Sequence, residues 1–529
     1  MTVPNGHANG HANGHANGNG NGHAASIETL RKTYEDAGQG HVFTFWDKLS
    51  AAEQDALATQ LAGIDVARVN RIYRNAMAAE APPTADGLAP PLVGKDISRS
   101  PSPQPEEARP LPEEAVASSY SPEAERWRDM GLRAIADGTV AVLLLAGGQG
   151  SRLGSPNPKG MYDLNLPSSK SLFAYQAGRI RKLQALAAAH VGKDPKDVRL
   201  RWYVMTSGPT RPVTEAYFAE MNYFGLDPND IVFFEQGVLP ALSNDGKLLL
   251  ASPCKVFTAP DGNGGLYAAL RRPVNSNTDM TVLSDLHARG IKYIHAYCVD
   301  NCLVKVADPV FVGCCIEREA ECGAKVVRKT IPTESVGVIA KRGNAYGVIE
   351  YSELPAAKAE LRDANGNLAF WAANIANHFY TTSFLDTVEA MERKMVFHIA
   401  RKKIPHVDLA TGEQLSPSEP NGMKLEMFIF DVFPFVQELS VLEVDRAEEF
   451  SGLKNAPGSK SDSPETSRRD LLSQHRRWLL AAGACIADGV EVEVTPDASY
   501  GGEGLGFVVG KNLERSGAIG RPEDVAALV

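Results

Sequence analysis

The stretch from Thr139 to Asp163, "TVAVLLLAGGQGSRLGSPNPKGMYD", constrains the fold more than any other part of the chain. The unbroken apolar run from Val140 to Ala146 suits a strand covered on both faces, and such strands belong to parallel sheets flanked by helices. Gly147, Gly148 and Gly150 follow at once. Glycines at a strand end let the backbone turn sharply and bring its N–H groups close to an anion. Arg152 then offers a planar fork and Lys159 a point charge to separate oxygens. The expected ligand of this loop is a phosphate.

Two familiar phosphate loops do not fit. A Walker-type P-loop needs a glycine followed directly by Lys and Ser or Thr, whereas Gly154 precedes Ser155 and Pro156, and Lys159 stands five residues on. A dinucleotide fingerprint needs G-x-G-x-x-G running straight into a helix. Here Gly148, Gly150 and Gly154 give G-x-G-x-x-x-G, and "SPNPKGMYDLNLP" cannot start one. What remains is a strand, a glycine turn and an extended excursion carrying one Arg and one Lys. The bland alternative is a glycine-rich turn with two solvated cations.

Beyond Ser121 the patterns alternate. The helix-like "SPEAERWRDMGLRAIADG" leads to the strand before the glycines, "KSLFAYQAGRIRKLQALAAAH" to "LRWYVMTS", and "PVTEAYFAEMNYFG" to "IVFFEQ", with a later strand "YIHAYCV" ending at Asp300. The class is therefore α/β, with a mainly parallel sheet and its ligands at the carboxyl ends of the strands. Between Ala324 and Glu353, "AKVVRKTIP", "SVGVIAKRG" and "YGVIEYSE" read as an antiparallel patch. Ahead of the sheet, a repeat of Asn, Gly, His and Ala over residues 1–25 has nothing to bury and is expected to be disordered. Its histidines, His7, His11, His15 and His23, have at most adventitious affinity for a metal. Residues 26–80 read as a helical lobe, with Ser50 and Glu53 placed as a capping box. Residues 81–120 are Pro- and Ser-rich and read as an extended connector. The end, "CIADGVEVEVTPDASYGGEGLGFVV", reads as a small β domain.

Composition narrows the function classes. A net charge of −10 argues against general affinity for nucleic acid or anionic membrane, so any anion site is local. The seven cysteines lack a C-x-x-C pair and lie mostly in apolar runs, as expected of buried reduced thiols. No apolar run approaches the roughly 18 residues that span a bilayer, and no secretory signal precedes the repeat. A soluble, cytoplasmic protein is expected.

Motifs along the chain carry a resemblance. "LAGGQGSRLG", "PKGMYDLNLPS", "FFEQGVLPA", "APDGNGGLY", "YCVDNCLVKVADP", "NIANHF", "NGMKLEMFIFDVFPF", "FSGLKN" and "SYGGEGL" follow one another from Leu145 to Leu505, within a resemblance that covers roughly Ser26 to the C-terminus. In content and order they resemble the eukaryotic UDP-N-acetylhexosamine pyrophosphorylases, usually called UDP-N-acetylglucosamine pyrophosphorylases. The resemblance implies a Rossmann-like, GT-A-like nucleotide-diphospho-sugar transferase fold: a catalytic domain over 121–455 behind the N-terminal helical lobe, and a small C-terminal β-rich domain over 456–529. It also implies the reversible reaction of UTP with N-acetylglucosamine 1-phosphate to give UDP-N-acetylglucosamine and pyrophosphate. The sugar phosphate attacks the α-phosphorus in line, with no covalent intermediate and no general base, so catalysis rests on alignment and charge neutralisation.

The same resemblance assigns residues. Arg152, Lys159 and Lys424 match catalytic positions, the first two holding the triphosphate. Gly147, Gly148, Gln236 and Gly262 match the UTP and uridine site. Asn263, Gly337, Glu350 and Asn374 match contacts to the sugar and its N-acetyl group, and Lys424 and Lys454 match phosphate-binding lysines. Asp300 matches the ligand of Mg²⁺, with Mn²⁺ as a substitute, and a lone carboxylate suffices because Mg²⁺ takes substrate phosphates as further ligands. The implied partners are UTP, the sugar phosphate, UDP-N-acetylglucosamine and pyrophosphate, with no nucleic acid and no membrane, on a monomer or homodimer. Without the resemblance, Lys424 and Lys454 would read as ordinary surface lysines and Gln236 as a strand-end cap.

Two departures stand out. The family commonly reads F-x-A-G-N-I-A-N-H, whereas this chain has "FWAANIANHF", with Trp371 and Ala373 beside Asn374. A reshaped acetyl pocket is the expectation. "RRPVNSNTDM" also looks longer than its counterpart, as a surface loop would. The rival readings are a pyrophosphorylase for glucose 1-phosphate or a broad set of sugar phosphates, against which "NIANHF" argues, and a catalytically silent nucleotide-sugar sensor. A sensor would have no need of Arg152, Lys159, Asp300, Lys424 and Lys454 together.

Overall fold

The computed structural model describes residues 20–80, 108–343, 345–392 and 394–529. The repeat up to residue 19 and the Pro-rich stretch 81–107 lie outside them. The chain falls into two compact units, one of residues 1–81, 239–259 and 397–425, the other of 82–238, 260–396 and 426–529.

The second unit is built on one eleven-stranded sheet. Its strands are β1 (Arg109–Pro110), β2 (Val116–Ser118), β3 (Val140–Leu145), β4 (Arg201–Thr206), β5 (Ile231–Glu235) and β6 (Tyr293–Cys298). There follow β7 (Cys322–Arg328), β8 (Val338–Arg342), β9 (Ala345–Ile349), β10 (Ala372–Thr381) and β11 (Leu439–Glu443). The main path runs β2-β11-β7-β10-β6-β3-β4-β5. It is parallel from β2 to β7 and from β6 to β5, while β10 is antiparallel to both neighbours and joins the two halves. β8 pairs antiparallel with β1, β9 and β10.

Burial explains why these segments are strands. Every residue of β3 is buried, and each Val or Leu so removed from water contributes about 1.5–3 kcal/mol, more than any local preference opposes. Helices α4 (Ala124–Ala136) and α5 (Leu172–Val191) cover the same sheet. From them Trp127, Leu132, Ile135, Phe173, Ile180 and Leu183 join Val142, Leu144, Trp202 and Val204 in the main core.

The structure departs from the sequence reading in four places. β8 and β9 form the expected antiparallel patch on the main sheet, whereas β7, expected in that patch, lies within the central sheet, parallel to β11 and antiparallel to β10. β10 was not expected as a strand, because Asn374, Asn377 and His378 are residues that strands avoid. Residues 108–120, expected in the connector, supply β1 and β2, since sheet edges accept short extended segments with proline. Residues 20–25, expected in the disordered tail, begin helix α1 (Gly20–Asp36), where extending a nucleated helix through Ala24 and Ala25 costs little.

One charge network fixes the centre of this unit. Lys325, in the middle of β7, is fully buried; its ammonium lies 2.6 Å from Asp308 and against Glu449, which Lys305 also reaches at 3.5 Å. The C-terminal residues follow a helix, Pro464–Ala481, capped by Ser463. Two short parallel strand pairs, Cys485–Ile486 with Asn512–Leu513 and Val492–Val494 with Gly517–Ile519, close a small core of Leu479, Val494, Leu513 and Ile519. The buried Glu493 carboxylate anchors this segment by accepting from Ser168 N–H (2.7 Å), Ser168 Oγ (2.6 Å) and the Tyr175 hydroxyl.

The first unit holds α1, α2 (Ala51–Ala62) and α3 (Val66–Glu80). The Ser50–Glu53 capping box is present at the start of α2. A three-stranded sheet, His398–Lys402, Gly422–Glu426 and Leu242–Ser243, lies in the same unit, although the sequence reading placed those strands with the catalytic residues. No helix among the described residues is long and apolar enough to cross a membrane.

Breaking the buried network is expected to be expensive. Lys325→Met leaves the Asp308 and Glu449 carboxylates without their buried cation and should lower unfolding stability by roughly 3–5 kcal/mol in urea denaturation.

Candidate active site

The glycine loop begins where β3 ends. Ala146 still pairs with Met205 through its N–H (2.8 Å), and the chain then leaves the sheet. The excursion folds back on itself: Gly150 N–H donates to Asn157 (3.0 Å), Lys159 N–H to the Gly148 carbonyl (3.2 Å), and Gly154 takes the left-handed conformation that reverses the chain. Ser207 Oγ donates to the Gly147 carbonyl (2.9 Å), so the loop is held from its outer side. The N–H groups of Gly147 and Gly148 have no acceptor among the described residues, as an anion cradle requires. Arg152 is exposed and has no ion-pair partner among the described residues.

At the end of β5, Gln236 donates from its backbone N–H to Thr206 (2.8 Å) and from its side-chain amide to the Gly262 carbonyl. Its Oε1 would sit 2.9 Å from a Cβ on Gly147, so Gly147, Gln236 and Gly262 meet at one edge. Gly262 has φ 84°, and a Cβ there would lie 2.2 Å from the Met427 carbonyl oxygen. Only glycine fits.

Asp300 lies two residues past β6 and is positioned by its neighbour. The Asn301 side chain donates to the Glu449 carbonyl (2.8 Å) and accepts from Ser451 N–H (3.1 Å), and Leu453 N–H donates to the Asp300 carbonyl (2.9 Å). These bonds clip the Asp300 turn to the segment that carries Lys454. Lys159 Nζ then reaches the Asp300 carboxylate at 3.5 Å and the Leu453 carbonyl at 3.0 Å. Burial lowers the Lys454 pKa, but the nearby carboxylates, Asp300 first and then Asp462 and Glu350, outweigh it and hold the ammonium above its usual range.

Of the residues matched to the sugar, Gly337 directly precedes β8, Glu350 directly follows β9, Asn374 lies in β10, and Asn263 opens a short 3₁₀ turn. Asn374 N–H donates to the Gly337 carbonyl (2.9 Å), and a Cβ on Gly337 would come within 2.7 Å of Glu350 Oε1. Asn263 accepts from Ile429 N–H at 2.9 Å. Trp371 and Ala373 do not share the face of Asn374. Ala373 lies in the main core with Ile375 and Phe379, and Trp371 carries the Arg328 guanidinium over its ring at 4.3 Å. A bulge at Ala376, with φ 54°, brings Asn374 and His378 together, their side chains 3.0 Å apart at Oδ1 and Nε2.

Of the sequence candidates, Gly147, Gly148, Arg152, Lys159, Gln236, Gly262, Asn263, Asp300, Gly337, Glu350, Asn374 and Lys454 all belong to the second unit. Lys424 belongs to the first, with its ammonium 5.8 Å from the Phe257 ring centre. Sequence reasoning missed Asn301, whose place directly after the strand-end Asp300 was its one signal. Among the described residues no three His, Cys, Asp or Glu side chains gather as a metal cage. The partly exposed Asp300 carboxylate is a hard oxygen donor of the kind a divalent cation such as Mg²⁺ prefers.

A mainly parallel α/β sheet with a glycine cradle, two lysines and a single carboxylate at its strand ends defines a nucleotide-binding, phosphate-handling protein. Residues 98–493 match the model of the family described as UTP--glucose-1-phosphate uridylyltransferase, and the chain belongs to that family. It is 45% identical to the UDP-N-acetylglucosamine pyrophosphorylase of Saccharomyces cerevisiae over 92% of this chain and 98% of that protein. It is 44% identical to the UDP-N-acetylhexosamine pyrophosphorylase-like protein 1 of Xenopus tropicalis over 91% of this chain and 90% of that protein. Among solved structures, it is similar to the uridine diphosphate N-acetylglucosamine pyrophosphorylase from Trypanosoma brucei, with TM-score 0.77 and 31% identity, covering 91% of this chain and 94% of that one.

The close approach at Gly262 is testable. Gly262→Ala should cost roughly 1–3 kcal/mol of unfolding stability through strain. Gly148→Ala, where nothing lies within 4 Å of the added methyl, should stay within about 0.5 kcal/mol of the parent in the same urea titration.

Proposed function

We propose that the protein transfers a uridylyl group from UTP to N-acetylglucosamine 1-phosphate, giving UDP-N-acetylglucosamine and pyrophosphate. The observation that carries the reading is the gathering of Lys159, Asp300 and Lys454 at the end of β6, beside the Gly337, Glu350 and Asn374 group whose carboxylate contributes to the field on Lys454. The relatives that cover nine-tenths of the chain support it.

A phosphate oxygen of the sugar phosphate forms a bond to the α-phosphorus, the bond from that phosphorus to the β-bridging oxygen breaks, and pyrophosphate leaves with the electron pair. No proton need move, because the nucleophile is already an anion, so the protein's work is alignment and charge neutralisation. The free N–H groups of Gly147 and Gly148 donate to the nucleotide phosphates. Arg152 and Lys159 take the charge that builds on the leaving pyrophosphate, and Lys454 faces the sugar phosphate. Gln236 spends its amide N–H on Gly262 and keeps Oε1 as an acceptor for the uracil imide. Glu350 accepts from sugar hydroxyls, while Asn263 and Asn374 face the N-acetylhexose. Asp300 would hold Mg²⁺ or Mn²⁺, which supplies Lewis-acid polarisation of the phosphates when bound. The seven cysteines form no disulfide, which suits work in the reducing cytoplasm.

The first test is pyrophosphate release from UTP and Mg²⁺ with N-acetylglucosamine, N-acetylgalactosamine and glucose 1-phosphates in parallel. Fast release with the first is expected, and none with any of them would overturn the reading. Arg152→Ala and Lys159→Ala should each lower kcat about 100- to 1,000-fold, more than they raise KM. Asp300→Ala should abolish Mg²⁺-dependent turnover with the fold intact by circular dichroism; full activity in that variant would remove Asp300 as the metal ligand.

A further inference from the structure

Behind Asn374 and Asn263 runs a buried polar chain that the reaction itself does not use. Ala376, at φ 54°, turns its N–H back onto Asn374 Oδ1 (3.1 Å). A backbone N–H can only donate, so this contact fixes which end of the Asn374 amide is oxygen. His378 Nε2 lies 3.0 Å from the same oxygen and must therefore carry a proton. His378 is fully buried, and burial pushes its pKa down to about 3, so the ring is neutral and Nδ1 is bare. The Tyr380 hydroxyl stands 3.3 Å from Nδ1 and 3.1 Å from the Ile429 carbonyl, two acceptors for its single proton. Tyr267 follows, its hydroxyl reaching the Tyr380 oxygen at 3.1 Å and the Ile429 carbonyl. The chain ends where Ile429 N–H donates to Asn263 Oδ1, again fixing an amide by a backbone donor (2.9 Å).

We propose that His378 is a positioning residue for the sugar phosphate. Through its Nε2–H it locks the Asn374 amide, and with Tyr380 and Tyr267 it ties that amide to the segment that orients Asn263, so that both asparagines present their amide N–H donors to the ligand. This rests on the sugar subsite of the proposed function. Asn374 Oδ1 accepts from two protein donors and Asn263 Oδ1 from one, and neither Nδ2 has a hydrogen-bond partner among the described residues. The complementary ligand groups are acceptors, the acetamido carbonyl and ring-hydroxyl oxygens. Without His378 the Asn374 side chain keeps one restraint instead of two.

The experiment pairs kinetics of the full chain with a tautomer measurement. His378→Phe should raise KM for N-acetylglucosamine 1-phosphate about 10- to 50-fold, on the order of one to two lost hydrogen bonds, and leave KM for UTP within about twofold. His378→Gln, whose amide N–H can stand where Nε2–H stood, should recover KM to within about threefold of the parent. An unchanged sugar KM, an equal rise in both KM values, or a Gln variant no better than Phe would overturn the assignment. If His378→Phe does not fold, Tyr380→Phe replaces it, with a rise of about 3- to 10-fold in the sugar KM alone expected and no such rise overturning it. In ¹⁵N-histidine-labelled protein, the ring signal lost in His378→Gln should show the neutral Nε2–H tautomer at neutral pH; a protonated ring or the Nδ1–H form would overturn the proposal. That spectrum decides the His378 arrangement even if the parent releases no pyrophosphate, the result that would instead remove the uridylyl-transfer reading.

Discussion

The site depends first on a lysine that never meets solvent. An ammonium buried as deeply as Lys325 is tolerable only with carboxylates around it, and here the two come from different segments, Asp308 after the β6 turn and Glu449 before the Lys454 loop. Satisfying one charge therefore draws two distant stretches onto the same strand. Once they converge, Asn301 lies against Glu449 and Ser451, and the Asp300 turn is stitched to Leu453. The nearness of Lys159, Asp300 and Lys454 is the outcome of that convergence. A network of this kind adds little net stability over well-packed apolar residues, but it leaves few alternative arrangements for the segments it joins.

β10 supplies the second constraint. As the antiparallel strand between two parallel halves it is bonded on both sides, and its register against β7 shifts between Asn374 and His378, where Ala376 takes a left-handed conformation. Ala373, Ile375 and Phe379 enter the core, while Asn374 and His378 face the other way. Of the residues that set this chain apart in "FWAANIANHF", Ala373 lies in the main core and Trp371, just before β10, packs under the Arg328 guanidinium. Their effect on the sugar pocket is thus indirect, through packing behind the strand.

Much of this was legible in the sequence where the signal was local. The Val140–Leu145 run, the glycines after it, Asp300 at the end of an apolar strand and the Ser50–Glu53 capping box are all statements about adjacent residues, and the structure contains each. β10 was not legible, because its burial on both edges comes from partners far away in sequence and overrides the poor strand preference of Asn and His. The membership of 239–259 and 397–425 in the unit of the N-terminal helices is likewise a product of long-range pairing, such as Met423 opposite Leu242. Lys424 and Lys454 show why lone lysines defeat pattern reading. Their spacing carries no period, and only the motifs around them point to phosphate.

The acidic chain accommodates a phosphate site by keeping its cations balanced until they are needed. Lys159 stands 3.5 Å from Asp300, close enough for each to offset the other's charge and too far for a tight hydrogen bond. Lys454 sits in the combined field of Asp300, Asp462 and Glu350. Arg152 alone projects to solvent without a carboxylate partner among the described residues. A polyanion arriving at the glycine cradle can therefore meet the exposed guanidinium first and draw the lysines from their loose pairs afterwards. On the proposed reaction, the bond from Lys159 to the Leu453 carbonyl would leave little reorganisation when charge moves onto the leaving group. On this argument the carboxylates around the lysines are part of the phosphate site, since they hold protonated ammonium groups in place at a modest desolvation cost.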